Sequence, residues 1–209
     1  MTTISSNLAS LPLLHCGLLC LMFAFSLNVV ESRLDEKTLK DVEKILTDHG
    51  IMKEIVDTPP EYLIDLAYDN NKYPIKIGDK IDINKVYQKP SKVSWEAEDD
   101  YDAPERRRPE LRSFIHWLIG DIPGISMTAG KTFYDYYGLK LFEHKDEHRY
   151  VWLLFKQNGK IENWREPIIS NTTDAMRGHL DLKDFQKKYE FGPPYAMTFF
   201  TSELNKTAS

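Results

Sequence analysis

The sequence has little cysteine and no strong excess of charge of either sign. Only two of its 209 residues are cysteines, Cys16 and Cys20, which excludes a disulfide-rich scaffold, because such a scaffold needs about four or more. With 27 basic and 32 acidic side chains the net charge is −5, so the clustered positive charge of a nucleic-acid-binding protein is not expected. Hydrophobic residues make up 42% and charged residues 28%, which excludes collagen, coiled coil and wholesale disorder. The chain is therefore expected to form a globular domain that binds no nucleic acid.

The amino-terminal segment, residues 1–32, lacks lysine and arginine and contains the apolar run Leu18–Leu27. This run is shorter than the roughly 20 residues that a membrane-spanning helix needs, but it suits the apolar core of a secretory signal peptide. We therefore predict a signal peptide over 1–32 and a single mature domain over 33–209, without cysteine and without a stable membrane span. Because the segment has no positively charged start, an uncleaved anchor or a buried core helix is the alternative.

Two N-glycosylation sequons lie in the predicted mature domain, at Asn171 and Asn205. A sequon of this kind is modified when it lies on the surface of a secreted protein. The sequons therefore agree with the signal peptide, and we expect a secreted, extracellular glycoprotein with glycans at Asn171 and Asn205.

Strand patterns outnumber helix patterns along the mature chain. Residues 35–49 place apolar side chains at helical spacing ahead of Gly50, and Leu182–Tyr189 is a second helix candidate. Few strands are separated by helices, which favours a mainly antiparallel sheet. The predicted strands are Tyr62–Tyr68, two short strands within Tyr73–Ile83, Phe114–Ile119, Tyr150–Phe155 and Ala196–Thr201.

One short motif raises the question of a metal enzyme. The segment His144-Lys145-Asp146-Glu147-His148 matches the H-x-x-E-H pattern of inverted zinc peptidases. That chemistry needs both histidines on one face of a helix, whereas the residues that follow His148 are strand-like. The acidic segment Glu96–Asp102 lacks the glycine and the ligand spacing of an EF-hand loop. We therefore expect no metal, no cofactor and no catalytic residues.

Several short motifs of the mature chain are weak signals separately, but their order along the chain is specific. They begin with Asp100-Tyr101-Asp102-Ala103-Pro104, continue through a histidine before Trp117, and reach a strand that opens with His148-Arg149-Tyr150. In this order the motifs resemble the phosphatidylethanolamine-binding protein family over about residues 36–205. Further matching segments are Arg108–Arg112, Arg177–Leu180, Phe185–Tyr189, Gly192–Pro194 and Thr198–Phe200.

The resemblance implies a mainly β fold, in which a large antiparallel sheet packs on a smaller sheet with helices at the periphery. It also implies a small surface cavity for an anion such as a phosphate head group, formed by Asp100, Asp102, His116, His148 and Tyr150. An imidazole or a phenol can donate to a phosphate oxygen, and a carboxylate can orient a histidine.

The function implied by the resemblance is that of a secreted, non-enzymatic binding protein. Its ligand would be a small anionic or lipid-like molecule, or a small hydrophobic one. The alternatives are a protein-interaction module, such as a peptidase inhibitor, and a degenerate family member that binds no ligand.

The chain departs from the family pattern at two places near the expected cavity. The stretch before His148 lacks the family's Pro-Pro pair and later glycines, so the cavity rim is expected to differ. In their place stand Leu141, Phe142, His144 and Asp146. Between Trp95 and Asp100 the family carries a central strand for which this chain has too few residues. Either a neighbouring segment fills that position, or the fold is destabilised, or the sequence has lost a coding segment.

Overall fold

The computed structural model describes residues 33–95, 101–104, 114–139 and 148–203. The predicted signal peptide, Asp100, Asn205 and the stretch from Lys140 to Glu147 lie outside these ranges. The helices are α1 (Glu36–Asp48), α2 (Ile83–Val86) and α3 (Leu182–Tyr189), with a 3-10 turn at Met127–Ala129. The strands are β1 (Tyr62–Leu63), β2 (Asp65–Tyr68), β3 (Tyr73–Ile75), β4 (Asp79–Asp82), β5 (Lys92–Ser94), β6 (Tyr101–Pro104), β7 (Leu118–Ile122), β8 (Lys131–Tyr134), β9 (His148–Lys156) and β10 (Ala196–Glu203).

Helix α1 forms where the apolar spacing predicts it. At its start the Asp35 carboxylate accepts hydrogen bonds from the backbone N–H groups of Lys37 and Thr38, both at 2.9 Å. The backbone and hydroxyl hydrogen bonds from Thr38 hold the pKa of Asp35 below its usual value. Gly50 follows the helix with φ of +63°, a left-handed conformation that glycine adopts without steric cost. The helix buries Val42 and Leu46.

The predicted strands Tyr150–Phe155 and Ala196–Thr201 are extended by one or two residues at their ends, and three other predicted segments differ more. The run Tyr62–Tyr68 is interrupted at Ile64, so that β1 pairs with β10 and β2 belongs to another sheet. Ile83 begins helix α2 instead of ending a strand, because the Asp82 carboxylate caps that helix through the N–H of Asn84. The predicted strand at Phe114 begins only at Leu118.

The large sheet has the strand order β1-β10-β9-β6-β7-β8, and β4 also pairs with β10. Its central pairs, from β10 through β9, β6 and β7 to β8, are antiparallel. The two short strands β1 and β4 run parallel to β10 at its two ends. The small sheet is antiparallel with the order β3-β2-β5. The predicted mainly β fold with one large and one small sheet is therefore confirmed, with two parallel pairings added.

The side chains of β9 alternate between two apolar layers, as the period of two in a strand requires. Val151, Leu153 and Phe155 pack in one cluster with residues of helices α1 and α3. Tyr150, Trp152 and Leu154 face the opposite way and pack with residues of the small sheet. The large sheet is therefore covered by helices on one face and by the small sheet on the other.

Strand β6, which follows the stretch that is short of residues, lies in the interior of the large sheet. It lies between β9 and β7, with Asp102 opposite Phe155 on one side and Pro104 opposite Leu118 on the other. A segment next to the short stretch therefore takes part in the large sheet, and the choice among the three alternatives stays a prediction. The segment is the DYDAP motif itself, so the motif contributes backbone pairing to the sheet.

Candidate functional site

The first strand residues of β9 and the last of β10 bring polar and aromatic side chains to the face that the small sheet covers. His148 and Tyr150 are two residues apart on β9, so both point to that face. Across the ladder, Ser202 lies opposite His148 and Phe200 lies opposite Tyr150. The rings of Tyr150 and Phe200 stack with centroids 5.2 Å apart.

His116 reaches the same place from the irregular segment that precedes β7. Its ring lies edge-on to that of Tyr150, with centroids 5.8 Å apart. Its Nδ1 lies 2.9 Å from the carbonyl oxygen of Tyr137. A carbonyl oxygen can only accept, so Nδ1 carries the proton. Nε2 is then an acceptor in the neutral ring and a second donor in the cationic one.

The three side chains are buried, with exposed fractions of 2% for His116, 7% for His148 and 3% for Tyr150. Tyr68 of the small sheet closes the group by packing edge-on to Phe200, with centroids 6.1 Å apart. The structure therefore brings together three of the five predicted ligand-binding residues under a cover of aromatic rings.

The two predicted aspartates are not part of this group in the described residues. Asp100 lies outside them. The backbone of Asp102 pairs opposite Phe155, five residues along β9 from Tyr150, which corresponds to about 17 Å at the rise of a β-strand. The register of β6 against β9 causes this separation.

The backbone around His116 is held by Arg177, whose structural role the sequence reasoning missed. The guanidinium is fully buried and donates only to main-chain carbonyls. Nη1 bonds the carbonyl oxygens of Ile115 and His116 at 3.0 and 3.2 Å, and the backbone N–H of Ile115 donates back to Arg177. The other acceptors are the carbonyl oxygens of Asp135, Ile169, Ser170 and Thr173.

Arg177 also packs against aromatic rings. Its guanidinium carbon lies 5.6 Å from the ring centre of Tyr134 and 5.1 Å from that of Tyr137. Burial lowers the pKa of Arg177, and the nearby carboxylate of Asp135 opposes this shift. The one sequence signal for this residue is its place in the segment Arg177–Leu180, which matches a family motif.

Two buried indole groups lie in the layer between the sheets. Trp95 and Trp152 are 5% and 2% exposed, and neither indole N–H has a hydrogen-bond acceptor in the described part of the chain. A buried donor without a partner costs about 1–3 kcal/mol. The layer between the sheets therefore offers hydrogen-bond donors to a molecule that carries an acceptor.

The described residues contain no group of three or more potential metal ligands. His148, the last residue of the H-x-x-E-H match, begins strand β9 and not a helix. The first four residues of the match lie outside the described ranges. No helix in those ranges is both long and apolar enough to cross a bilayer.

Comparisons with known proteins agree with this fold. A sequence model of the family described as phosphatidylethanolamine-binding protein matches residues 97–190. The Drosophila melanogaster protein named "Putative odorant-binding protein A5" is 27% identical over 209 residues, which cover 96% of this chain and 93% of that protein.

Solved structures show the same fold. The solution structure of CG7054 has a TM-score of 0.60 and 27% identity and covers 74% of this chain and 92% of that chain. Carboxypeptidase Y inhibitor, complexed with its cognate proteinase, has a TM-score of 0.65 at 16% identity over 79% of this chain and 96% of its own. The phosphatidylethanolamine-binding protein of Plasmodium vivax has a TM-score of 0.59 at 14% identity over 78% and 97%. The family model, the relative and the solved structures together support membership of the chain in the phosphatidylethanolamine-binding protein family.

Proposed function

We propose that this protein is a secreted, non-enzymatic binding protein whose ligand is a small amphipathic molecule. The polar head of the ligand, a phosphate or another acceptor group, bonds to His116, His148 and Tyr150. The observation that carries the proposal is the convergence of two imidazoles and a phenol beside the stacked rings of Tyr150 and Phe200.

The chemistry of the group supports a ligand with an acceptor head and an apolar body. The phenol of Tyr150 and a protonated His116 would donate to the head, and the aromatic rings of Tyr68 and Phe200 would contact the body. The indole donors of Trp95 and Trp152 favour a ligand with a further acceptor. With the backbone of Asp102 about 17 Å along the sheet, we leave this residue out of the proposed site.

The relatives support binding without catalysis. One relative is named an odorant-binding protein, the family is named for binding a phospholipid, and a neighbour with the same fold is a peptidase inhibitor. Secretion remains part of the proposal and rests on the sequence of residues 1–32. N-glycosylation is proposed at Asn171, whose side chain is exposed, and at Asn205.

The test is thermal unfolding of the purified protein with dihexanoyl phosphatidylethanolamine below its micelle concentration. A ligand at 100 times its Kd stabilises the native state by about 2.7 kcal/mol, so the Tm should rise by about 5–10 °C for a chain of this size. His116→Asn keeps a donor for the carbonyl of Tyr137 but removes the imidazole, and Tyr150→Phe removes one hydroxyl. Each variant should reduce the shift.

The matched controls are His179→Asn and Tyr195→Phe, whose side chains lie away from the group. Both controls should keep the full shift of the Tm. No shift at saturating ligand, for a protein that is folded by circular dichroism, would refute the proposal.

Peptidase inhibition is the alternative expected from the sequence, and the likeness to carboxypeptidase Y inhibitor supports it through the fold alone. Titration of a carboxypeptidase with the protein distinguishes the two functions. We expect no stoichiometric loss of peptidase activity. A stoichiometric loss that His116→Asn leaves unchanged would establish the inhibitor instead.

A further inference from the structure

We propose that a cavity beside the small sheet, which shares Tyr68 with the group around His116, is a second binding site and takes a small anionic saccharide. The cavity has a volume of about 390 Å³, which lies within the range of small-molecule sites. Its lining includes Asn70, Asn84, Lys85, Tyr87, Gln88 and Lys89.

The charge of the cavity favours an anion. Between positions 72 and 92 the chain has six lysines and only two aspartates, although the whole chain has a net charge of −5. The ammonium groups of Lys85 and Lys89 face aromatic rings, at 5.3 Å from the ring centre of Tyr73 and 4.4 Å from that of Trp117. No carboxylate of the described residues forms an ion pair with either of these two lysines.

The one aspartate of the lining is already engaged. Asp69 forms an ion pair with Lys72 at 3.5 Å, so its charge is partly balanced from outside the cavity. Lys85 and Lys89 contact aromatic rings, and no carboxylate of the described residues pairs with them, so their positive charge also acts on the cavity that they line. An ammonium of this kind binds a phosphate or carboxylate as a point charge.

The remaining lining groups favour a ligand that has hydroxyl groups and a sugar ring. The amides of Asn70, Asn84 and Gln88 can each donate and accept, as vicinal hydroxyls require. Tyr87 is 51% exposed, and an exposed aromatic ring can cover the apolar C–H face of a sugar ring. Amides, an exposed phenol ring and two ammonium groups together match a saccharide that carries a phosphate or a carboxylate.

The walls of the cavity are held in place before any ligand binds. The Ser91 hydroxyl bonds the carbonyl of Ala67 at 3.2 Å and accepts from the N–H of Asn71 at 3.0 Å. The phenol of Tyr136 donates to the carbonyl of Gln88 at 3.0 Å. Preorganised walls reduce the entropy that binding must overcome.

The experiment is an NMR titration of the ¹⁵N-labelled full chain with glucose 6-phosphate, glucuronate, glucose and inorganic phosphate. We expect glucose 6-phosphate and glucuronate to shift the amides of residues 84–91, and to bind about tenfold more tightly than glucose or phosphate alone. Binding should weaken as salt rises. A stronger response to glucose 6-phosphate would assign a phosphate ligand, and a stronger response to glucuronate would assign a carboxylate ligand.

Variants distinguish binding in this cavity from non-specific attraction to positive charge and from binding at the group around His116. Lys85→Gln and Lys89→Gln should each weaken binding about tenfold, whereas Lys76→Gln, from the same lysine-rich segment but outside the lining, should not. Tyr87→Ala should lower the affinity for glucose 6-phosphate more than the affinity for inorganic phosphate. His116→Asn should change neither affinity.

Three results would overturn the inference. The first is the absence of any shift with the two anionic sugars in a folded protein. The second is an equal loss of affinity with Lys76→Gln, which would mean non-specific attraction. The third is binding that depends on His116 and not on Lys85.

Discussion

The position of His116 depends on a residue 61 positions away in the sequence. Arg177 bonds the carbonyls of Ile115 and His116, and the carbonyl of His116 also accepts from the N–H of Tyr137. The imidazole returns a hydrogen bond to the carbonyl of Tyr137. One guanidinium thus fixes the segment that carries the histidine, which makes Arg177 a positioning residue for the proposed site.

The first residue-scale prediction concerns Arg177→Lys. An ammonium cannot reach the set of carbonyls that the planar guanidinium satisfies, and breaking a buried charged network costs about 3–5 kcal/mol. We expect the free energy of unfolding, measured by urea denaturation, to fall by about that amount. Arg165→Lys, at an exposed position, is the control and should change it by less than about 0.5 kcal/mol. Equal urea midpoints for both variants would contradict the role of Arg177.

Tyr189 carries a prediction about alkaline pH. Burial raises the pKa of Tyr189, the N–H of Arg165 lowers it, and its hydrogen bond to Glu166 raises it. Burial lowers the pKa of Lys188, but its bonds to Glu166 and Tyr189 outweigh this, and the pKa is raised. The folded state therefore holds these protons more tightly than the unfolded state, and stability is complete below the unfolded tyrosine pKa of about 10.

Above about pH 10 the stability that Tyr189 and Lys188 contribute is lost, as the pH rises through the pKa values of these two groups in the folded state. Urea midpoints measured between about pH 9 and 11 should fall in the unmodified protein. Tyr189→Phe removes one of the groups, so its midpoint should fall less steeply. The same slope in both proteins would show that Tyr189 does not contribute.

At the scale of elements, β7 approaches its neighbours closely at a glycine. A Cβ on Gly120 would lie 2.5 Å from Cζ2 of Trp164 and 2.9 Å from the ring of Phe133. The indole of Trp164 cannot move away easily, because its N–H donates to the Asp121 carboxylate at 2.9 Å. That carboxylate also accepts from the side chain of Gln157.

The consequence is a prediction for Gly120→Ala. We expect it to destabilise the protein by about 1–3 kcal/mol through overpacking. Gly192 has open space around its Cβ position, so Gly192→Ala is the control and should be neutral or slightly stabilising. Thermal unfolding of the two variants tests this, and a neutral Gly120→Ala would mean that the β7 contact is loose.

The same scale shows which parts of the fold the sequence can predict. The period of two along β9 places His148 and Tyr150 on one face, and this follows from the sequence alone. The break at Ile64, which sends β1 and β2 into different sheets, depends on the pairing of β1 with β10, about 130 residues away. The register that moves Asp102 along the sheet is set by the segments that flank β6 in space, and local pattern carries no information about it.

At the scale of the whole molecule, the positions of the charged residues are more informative about binding than the overall composition is. The net charge of −5 is not evenly distributed, because residues 72–92 contain six lysines and only two aspartates. The match of Arg177–Leu180 to a family motif marks Arg177 in the sequence, but it does not predict the six main-chain carbonyls that accept from this side chain. The contacts of Arg177 arise only when distant segments meet, so the sequence predicts the fold class but not these contacts.

Secretion is a prediction about the whole molecule. Expressed in insect cells, the full-length chain should appear in the medium with a first residue near position 33. Glycosidase treatment should lower its mass, and Asn171→Gln should remove part of that difference, because Asn171 is exposed. A protein retained in cells, with residues 1–32 still attached, would contradict the prediction.

The most direct test of the account is the imidazole ¹⁵N spectrum of His116 during a titration with dihexanoyl phosphatidylethanolamine. Before ligand, Nδ1 should carry the proton, because it donates to the carbonyl of Tyr137. If the head group binds at His116, the Nε2 resonance of His116 should shift in a saturable way and the resonances of His179 should not. An unchanged His116 at saturating ligand, or equal shifts at both histidines, would contradict the claim that the head group binds beside Tyr150.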